Sequence, residues 1–146
     1  ESAQLLSTAH RVLDGELVPT VNQILTASTK IKHKVKMHAM LPDAREDVLY
    51  KQTHKNHPSA IWARNSIENY NWLVDHFFAL MQEYSYRYEK QHKCFGELSY
   101  MLQSPPKNLK DYEMTKMPCA MDDKYVISDN PIENYRNYYK NSKSSP

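Results

Sequence analysis

Glycine is nearly missing from this chain. Its 146 residues include only 2, Gly15 and Gly96, whereas a sheet-rich fold with many tight turns draws on glycine for positive φ. Helix is therefore expected to dominate. The same shortage excludes a glycine-rich phosphate loop or dinucleotide turn, and no GxSxG nucleophile elbow occurs. Cysteine is scarce too. Cys94 and Cys119, with no secretory leader before them, read as reduced thiols of a cytoplasmic protein. No apolar run approaches the roughly 20 residues that span a bilayer, so a soluble protein with no membrane partner is expected. An excess of one charge is also absent. Against 17 acidic residues stand 19 basic ones, a net charge of +2. That is too small for a general polyanion-binding surface, so any nucleic-acid contact must come from local clustering.

A length of 146 residues suits a single domain with one core. The expected class is mainly α, a compact domain of about 4–5 helices with a short two-stranded β-ribbon. The opening string ESAQLLSTAHRVL is already helical in character, with Leu5, Leu6, Ala9, Val12 and Leu13 on one face and no strong cap before them. This predicts that the native chain has a further segment before Glu1. The polar ending NSKSSP suits a frayed or cut tail. The first helix should close near Asp14, with Gly15 in the left-handed conformation.

In TKIKHKVKMHA, residues 29–39, Ile31, Val35 and Met37 alternate with Lys30, Lys32, Lys34 and Lys36. This is the period of a half-buried strand, and residues 16–25 are the candidate partner, with Pro19 confining it to an edge. Helix is expected to restart at Pro42 or Asp43 and run toward Lys51. From Pro58 onward Ala63, Ile67, Tyr70, Val74, Phe77, Met81, Tyr84 and Tyr88 follow 4-3 spacing. They mark a core-facing stripe, widened by Leu73, Phe78 and Leu80, on a helix broken near Asn65-Ser66. A further helix is expected from about His92 to Leu102, then a long loop over 103–128. The last helix should be capped by Asp129 or Asn130, with Pro131 in its first turn.

The densest group of reactive side chains is THKNHPSAIWAR, residues 53–64. No Cys or acidic residue stands at ligand spacing beside His54 and His57, and neither HExxH nor CxxC occurs, so no metal site is expected. No cofactor is expected either. An anion site is better grounded. Pro58 at the first helical position should leave the amides of Ser59, Ala60 and Ile61 facing outward, with Lys51, His54, Lys55, His57 and Arg64 nearby for a phosphate. The competing reading is an ordinary proline-started helix. The lysine ladder Lys32, Lys34 and Lys36 is equally open, either tracking a nucleic-acid backbone or guarding an edge strand. The tyrosines on the core stripe should be half-buried rings with wet hydroxyls. Tyr86, Tyr138 and Tyr139, beside Arg87 and Arg136, are candidates for stacking on bases, while Glu83 and Arg87 form an i,i+4 pair.

Together ESAQLLSTAHRVLDG, NHPSAIWAR and EYSYRYEKQH resemble a family of small proteins of tailed phages, especially marine ones, and the likeness covers most of the chain. ESAQLL followed by NHPSAIW and a tyrosine-bearing helix also resembles, more distantly, the pyrimidine-dimer DNA glycosylases. That resemblance implies a helical enzyme that displaces a base, attacks the sugar C1′ with its N-terminal amine and uses a helical glutamate to promote strand cleavage. Glu1 would be this catalytic glutamate, and His57, Pro58 and Trp62 would form the shared turn. The amine would then lie upstream of Glu1. The resemblance thus leads to the expectation of a phage-encoded DNA-interacting protein of the host cytoplasm, glycosylase-like toward damaged pyrimidines. The alternatives are a non-enzymatic nucleic-acid module, or a structural or host-interaction protein forming a homodimer.

Overall fold

The computed structural model describes residues 1–20 and 36–143. Helix predominates among them: α1 (Ser2–Asp14), the single turn α2 (Arg45–Val48), α3 (Pro58–Ala63), α4 (Ile67–Tyr88), α5 (Glu97–Leu102) and α6 (Pro131–Tyr138). Strands β1 (Glu16–Pro19) and β2 (Met37–Met40) form an antiparallel ribbon that pairs Glu16 with Met40 and Pro19 with Met37. The expected mainly α fold with a two-stranded ribbon is thus present, with six helices in place of four or five. In a ribbon of two strands each strand is an edge, which is where Pro19 is tolerated. Lys32 and Lys34, and with them most of the lysine ladder, lie outside the described residues. Lys36 is exposed just before β2, and its carbonyl accepts from the amide of Thr20 at 2.9 Å.

The core forms where α1 packs against α3 and α4. Ala3, Leu6 and Ala9 of α1 meet Ala63, Tyr70, Leu73, Val74, Phe77 and Met81, and Leu41, Leu49, Leu102 and Leu109 close the cluster. The 4-3 stripe outruns this core. Tyr84 is half-buried and Tyr88 exposed, as is Leu80. The physical reason is length: α4 has 22 residues and α1 has 13, roughly 33 Å against 20 Å. The last turns of α4 therefore run past their cover, and Tyr84 packs instead on Tyr88 and on His92, with ring centroids at 4.7 and 4.8 Å.

Three local expectations need correction. Gly15 is extended (φ −86°, ψ 154°), not left-handed. Its need for glycine is steric, because a Cβ there would lie 2.4 Å from the carbonyl oxygen of Arg11. The helix expected from Pro42 or Asp43 toward Lys51 shrinks to the single turn α2. Arg11, fully buried, donates to the carbonyls of Glu46 (3.1 Å), Leu49 (2.9 Å) and Tyr50 (2.6 Å). A guanidinium that gathers three carbonyls within five residues holds this backbone in an open arc. The helix expected from His92 begins only at Glu97, since Gly96 sits at φ 121° and breaks helical geometry before it.

The loop over 103–128 completes the start of α4. Its carbonyls at Asp111 and Tyr112 accept from the amides of Ile67 (2.7 Å) and Glu68 (3.2 Å), while Ser66 Oγ accepts from the amide of Asn69 at 3.1 Å. The free amides of the first turn are thereby satisfied. The break before α4 and the loop that crosses it fix one wall of a cleft.

Candidate functional site

The two tryptophans of the chain, Trp62 and Trp72, meet edge to face at 5.8 Å between ring centroids. His76, one turn further along α4, lies flat on Trp72 at 5.4 Å and 12°. These rings line a cleft of about 560 Å³, within the size range of ligand pockets. Leu5, Leu73, Met117 and Ile132 supply apolar walls. Glu1 and Ser2 stand at the start of α1, and Tyr135, Arg136 and Tyr139 face them from the last helical segment.

Each wall has a local cause. Asn69, fully buried, donates to the carbonyl of Trp62 (2.9 Å) and to Thr115 Oγ1 (2.7 Å), and accepts from the amide of Thr115 (2.9 Å). The indole N–H of Trp62 donates to the carbonyl of Thr115 at 3.0 Å. One amide side chain therefore ties α3, α4 and the loop together beneath the tryptophan pair. On the other side Asn130 caps α6 by accepting from the amide of Ile132 at 3.0 Å, the cap and proline start expected from DNPIENY. Buried Asn134 holds the preceding loop through the amides of Ile127 (2.8 Å) and Ser128 (3.0 Å) and the carbonyl of Ser128 (2.8 Å). The Tyr135 hydroxyl donates to the carbonyl of Pro118 (2.9 Å) and accepts from the amide of Ala120 (3.1 Å). Its ring is thus pinned by its polar end.

The cleft is apolar with a few charges at its edge. Partial burial lowers the pKa of His76, which favours its neutral imidazole. Glu1 is exposed and makes no side-chain cap on α1. Of the chain's five arginines, Arg11 is bound by Glu46, Arg45 by Asp14 and Asp43, Arg64 by the carbonyl of Lys55 (2.7 Å) and Arg87 by Glu83. Arg136 alone has no side-chain partner among the described residues.

The expected site residues divide. Glu1 and Trp62, far apart in sequence, come together on this cleft, whereas His54, Lys55, His57 and Arg64 do not line it. The anion turn loses its amides. His57 Nδ1 accepts from the amide of Ser59 at 3.1 Å, and the His57 carbonyl accepts from Ala60 (2.9 Å) and Ile61 (3.0 Å). A capping histidine and a tight first turn have satisfied all three donors that were expected to face outward. Burial lowers the pKa of Arg64, and its guanidinium braces the turn. Trp72 and His76 were not singled out from the sequence, though they stand four apart on the flank of the core stripe. Such a pair of flat rings on one helical face was the available signal.

A second polar cluster is enclosed and structural. His10, 1 % exposed, contacts Arg45 Nη1 through Nδ1 and the Tyr70 hydroxyl through Nε2, both at 2.8 Å. A guanidinium can only donate, so Nδ1 is the acceptor and Nε2–H donates to Tyr70. Tyr70 in turn donates to the carbonyl of Leu102 at 2.9 Å. Burial first, and the Arg45 charge second, bring the His10 pKa down to about 4, while burial pushes the Tyr70 phenol up. Hydrogen bonding by Arg45 holds Asp43 well below the usual carboxylate range. Burial opposes ionisation of Glu46, but Lys51, the Leu41 amide and Arg11 outweigh it and bring its pKa down to about 2.

Cys94 and Cys119 are both unpaired, and no described helix is long and apolar enough to cross a membrane. Compared with protein-family models, curated proteins and solved structures, the chain matches none.

Proposed function

We propose that this chain is a DNA-interacting protein whose contact site is the Trp62–Trp72 cleft, with glycosylase/lyase-like action on damaged pyrimidines as its reaction. The observation that carries the reading is the meeting of Glu1 with two tryptophans, two tyrosines and an arginine around one opening. An unstacked base needs a flat apolar surface to replace its lost neighbours. A carboxylate at the mouth suits the positive charge that develops on a sugar as its base departs. His54, Lys55, His57 and Arg64 then serve as a basic shoulder on α3 and its approach, not as the anion turn itself.

The chemistry is tested by incubating the intact gene product with duplex DNA carrying a pyrimidine dimer in the presence of borohydride. A covalent adduct on damaged DNA alone supports the enzyme. DNA binding without an adduct leaves a non-catalytic module.

A second reading has its own support. Tyr86, Tyr88 and Phe95 are 84 %, 60 % and 54 % exposed, large rings left uncovered on more than one side of the overhanging end of α4, and aromatic side chains of this kind are enriched in protein contacts. A structural or host-interaction homodimer would place its interface there. A mass that rises with concentration in sedimentation, and falls back in Tyr86→Glu, would favour it.

A further inference from the structure

Arg136 stands apart from the other arginines. A guanidinium normally finds a carboxylate or a carbonyl, and the other four have done so. Arg136 instead lines the cleft without a partner among the described residues. Glu1 lines the same cleft, and the two form no ion pair with each other. Opposite charges that line one cleft without pairing leave both available to a ligand. The helix that carries Arg136 is not loose, because Asn134 and Tyr135, the two residues before it, are tied into the loop over 118–128. The cation is therefore presented from a fixed base, as a binding site requires.

We propose that Arg136 is the phosphate-binding residue of the cleft and that the ligand is a single nucleotide unit with its base unstacked. The base lies among Trp62, Trp72 and Tyr139, the phosphate is taken by Arg136, and the sugar falls between them on the Glu1 side. The guanidinium matches phosphate oxygens with paired donors. The aromatic walls grip any base by its face, so recognition is of the nucleotide and not of base identity. This rests on the cleft as the DNA contact, and it moves the phosphate contact away from the turn at His57.

Both tryptophans of the chain line the cleft, so intrinsic emission reports on this site alone. The experiment titrates the protein with thymidine, with its 5′-monophosphate and with single-stranded hexathymidylate, and repeats each titration in Arg136→Gln. Arg136 is exposed and unpartnered among the described residues, so the variant should keep the parent's unfolding midpoint. The monophosphate should quench emission with affinity roughly tenfold or more above that of the nucleoside, as loss of a charge-assisted contact implies. Arg136→Gln should erase that difference. In the hexanucleotide the same change should reduce the slope of log affinity against log salt by roughly 0.7. Tighter binding of the strand assigns the site to DNA, and tighter binding of the monophosphate assigns it to free nucleotides, both through the same chemistry. Equal affinity for nucleoside and nucleotide, or a difference that survives in Arg136→Gln, overturns the inference. Duplex binding seen by anisotropy with tryptophan emission unmoved would overturn it while leaving a DNA-binding function intact. Quenching by the monophosphate without any DNA binding would do the reverse.

Discussion

Acidification tests the buried His10 network directly. In the folded chain His10 accepts from Arg45 and donates to Tyr70 as a neutral ring, and its pKa falls from the ordinary 6.5 to about 4. The unfolded chain then binds a proton that the folded chain refuses throughout that window, so stability is complete above pH 6.5 and declines as the pH falls toward 4. At roughly 1.4 kcal/mol for each pH unit, the loss between pH 7.5 and 4.5 comes to about 2.5 kcal/mol. Asp14, Asp43 and Glu46 are held below their ordinary values of 3.8, 3.8 and 4.5, and the stability each contributes begins to fall as the pH drops through that ordinary value. By pH 4.5 their loss has only begun, and most of it follows in stronger acid. His76 shifts in the same direction, so wild type must be compared with His10→Gln, whose amide can still accept and donate but does not titrate. Urea unfolding followed by circular dichroism at both pH values measures the difference. A variant that loses as much stability as wild type between pH 7.5 and 4.5 would refute the assignment of the acid sensitivity to His10.

Three further outcomes are expected. Arg11→Met should cost about 3–5 kcal/mol in urea unfolding, because the carbonyls of Ala39, Leu49 and Tyr50 and the Glu46 carboxylate lose a buried partner. Asn69→Ala should cost about 2–3 kcal/mol and shift tryptophan emission to the red, since the loop that binds the Trp62 indole loses its anchor on α4. Gly15→Ala should lower the thermal midpoint by an amount equivalent to about 1–3 kcal/mol despite an ordinary φ, because its methyl would meet the Arg11 carbonyl. A neutral Gly15→Ala would remove the steric account of that residue.

Much of the fold was legible because its signals were local. The 4-3 stripe located α4, and Pro58 and Pro131 located two helix starts; the strand expected over 29–39 meets β2 only at 37–39, where Met37 is exposed and not on the buried face, and residues 29–35 lie outside the described residues. The failures came where a distant group competed for the backbone. Nothing near residues 42–51 announces that Arg11, more than thirty positions away, will gather their carbonyls and cut a helix to one turn. The turn at His57 differs for a subtler reason: a histidine before a proline-started helix has the sequence character of a phosphate ligand, but its ring nitrogen is itself the cap. The cleft was half-legible. Glu1 and Trp62 were named from a resemblance, and Arg136 and Tyr139 from their aromatic and basic company. Trp72 and His76 carry no comparable signal, because they stand on the flank of α4 beside a strong core stripe that marks only its buried face.

The central claim, that DNA is held in the Trp62–Trp72 cleft, is tested most directly by tryptophan emission during titration with two duplexes of one sequence, only one of which carries a thymine dimer. The damaged duplex is expected to quench emission at lower concentration than the intact one, with an effect that weakens as salt is raised. Emission unmoved by either duplex at low salt, from protein whose circular dichroism shows it folded, would contradict the claim.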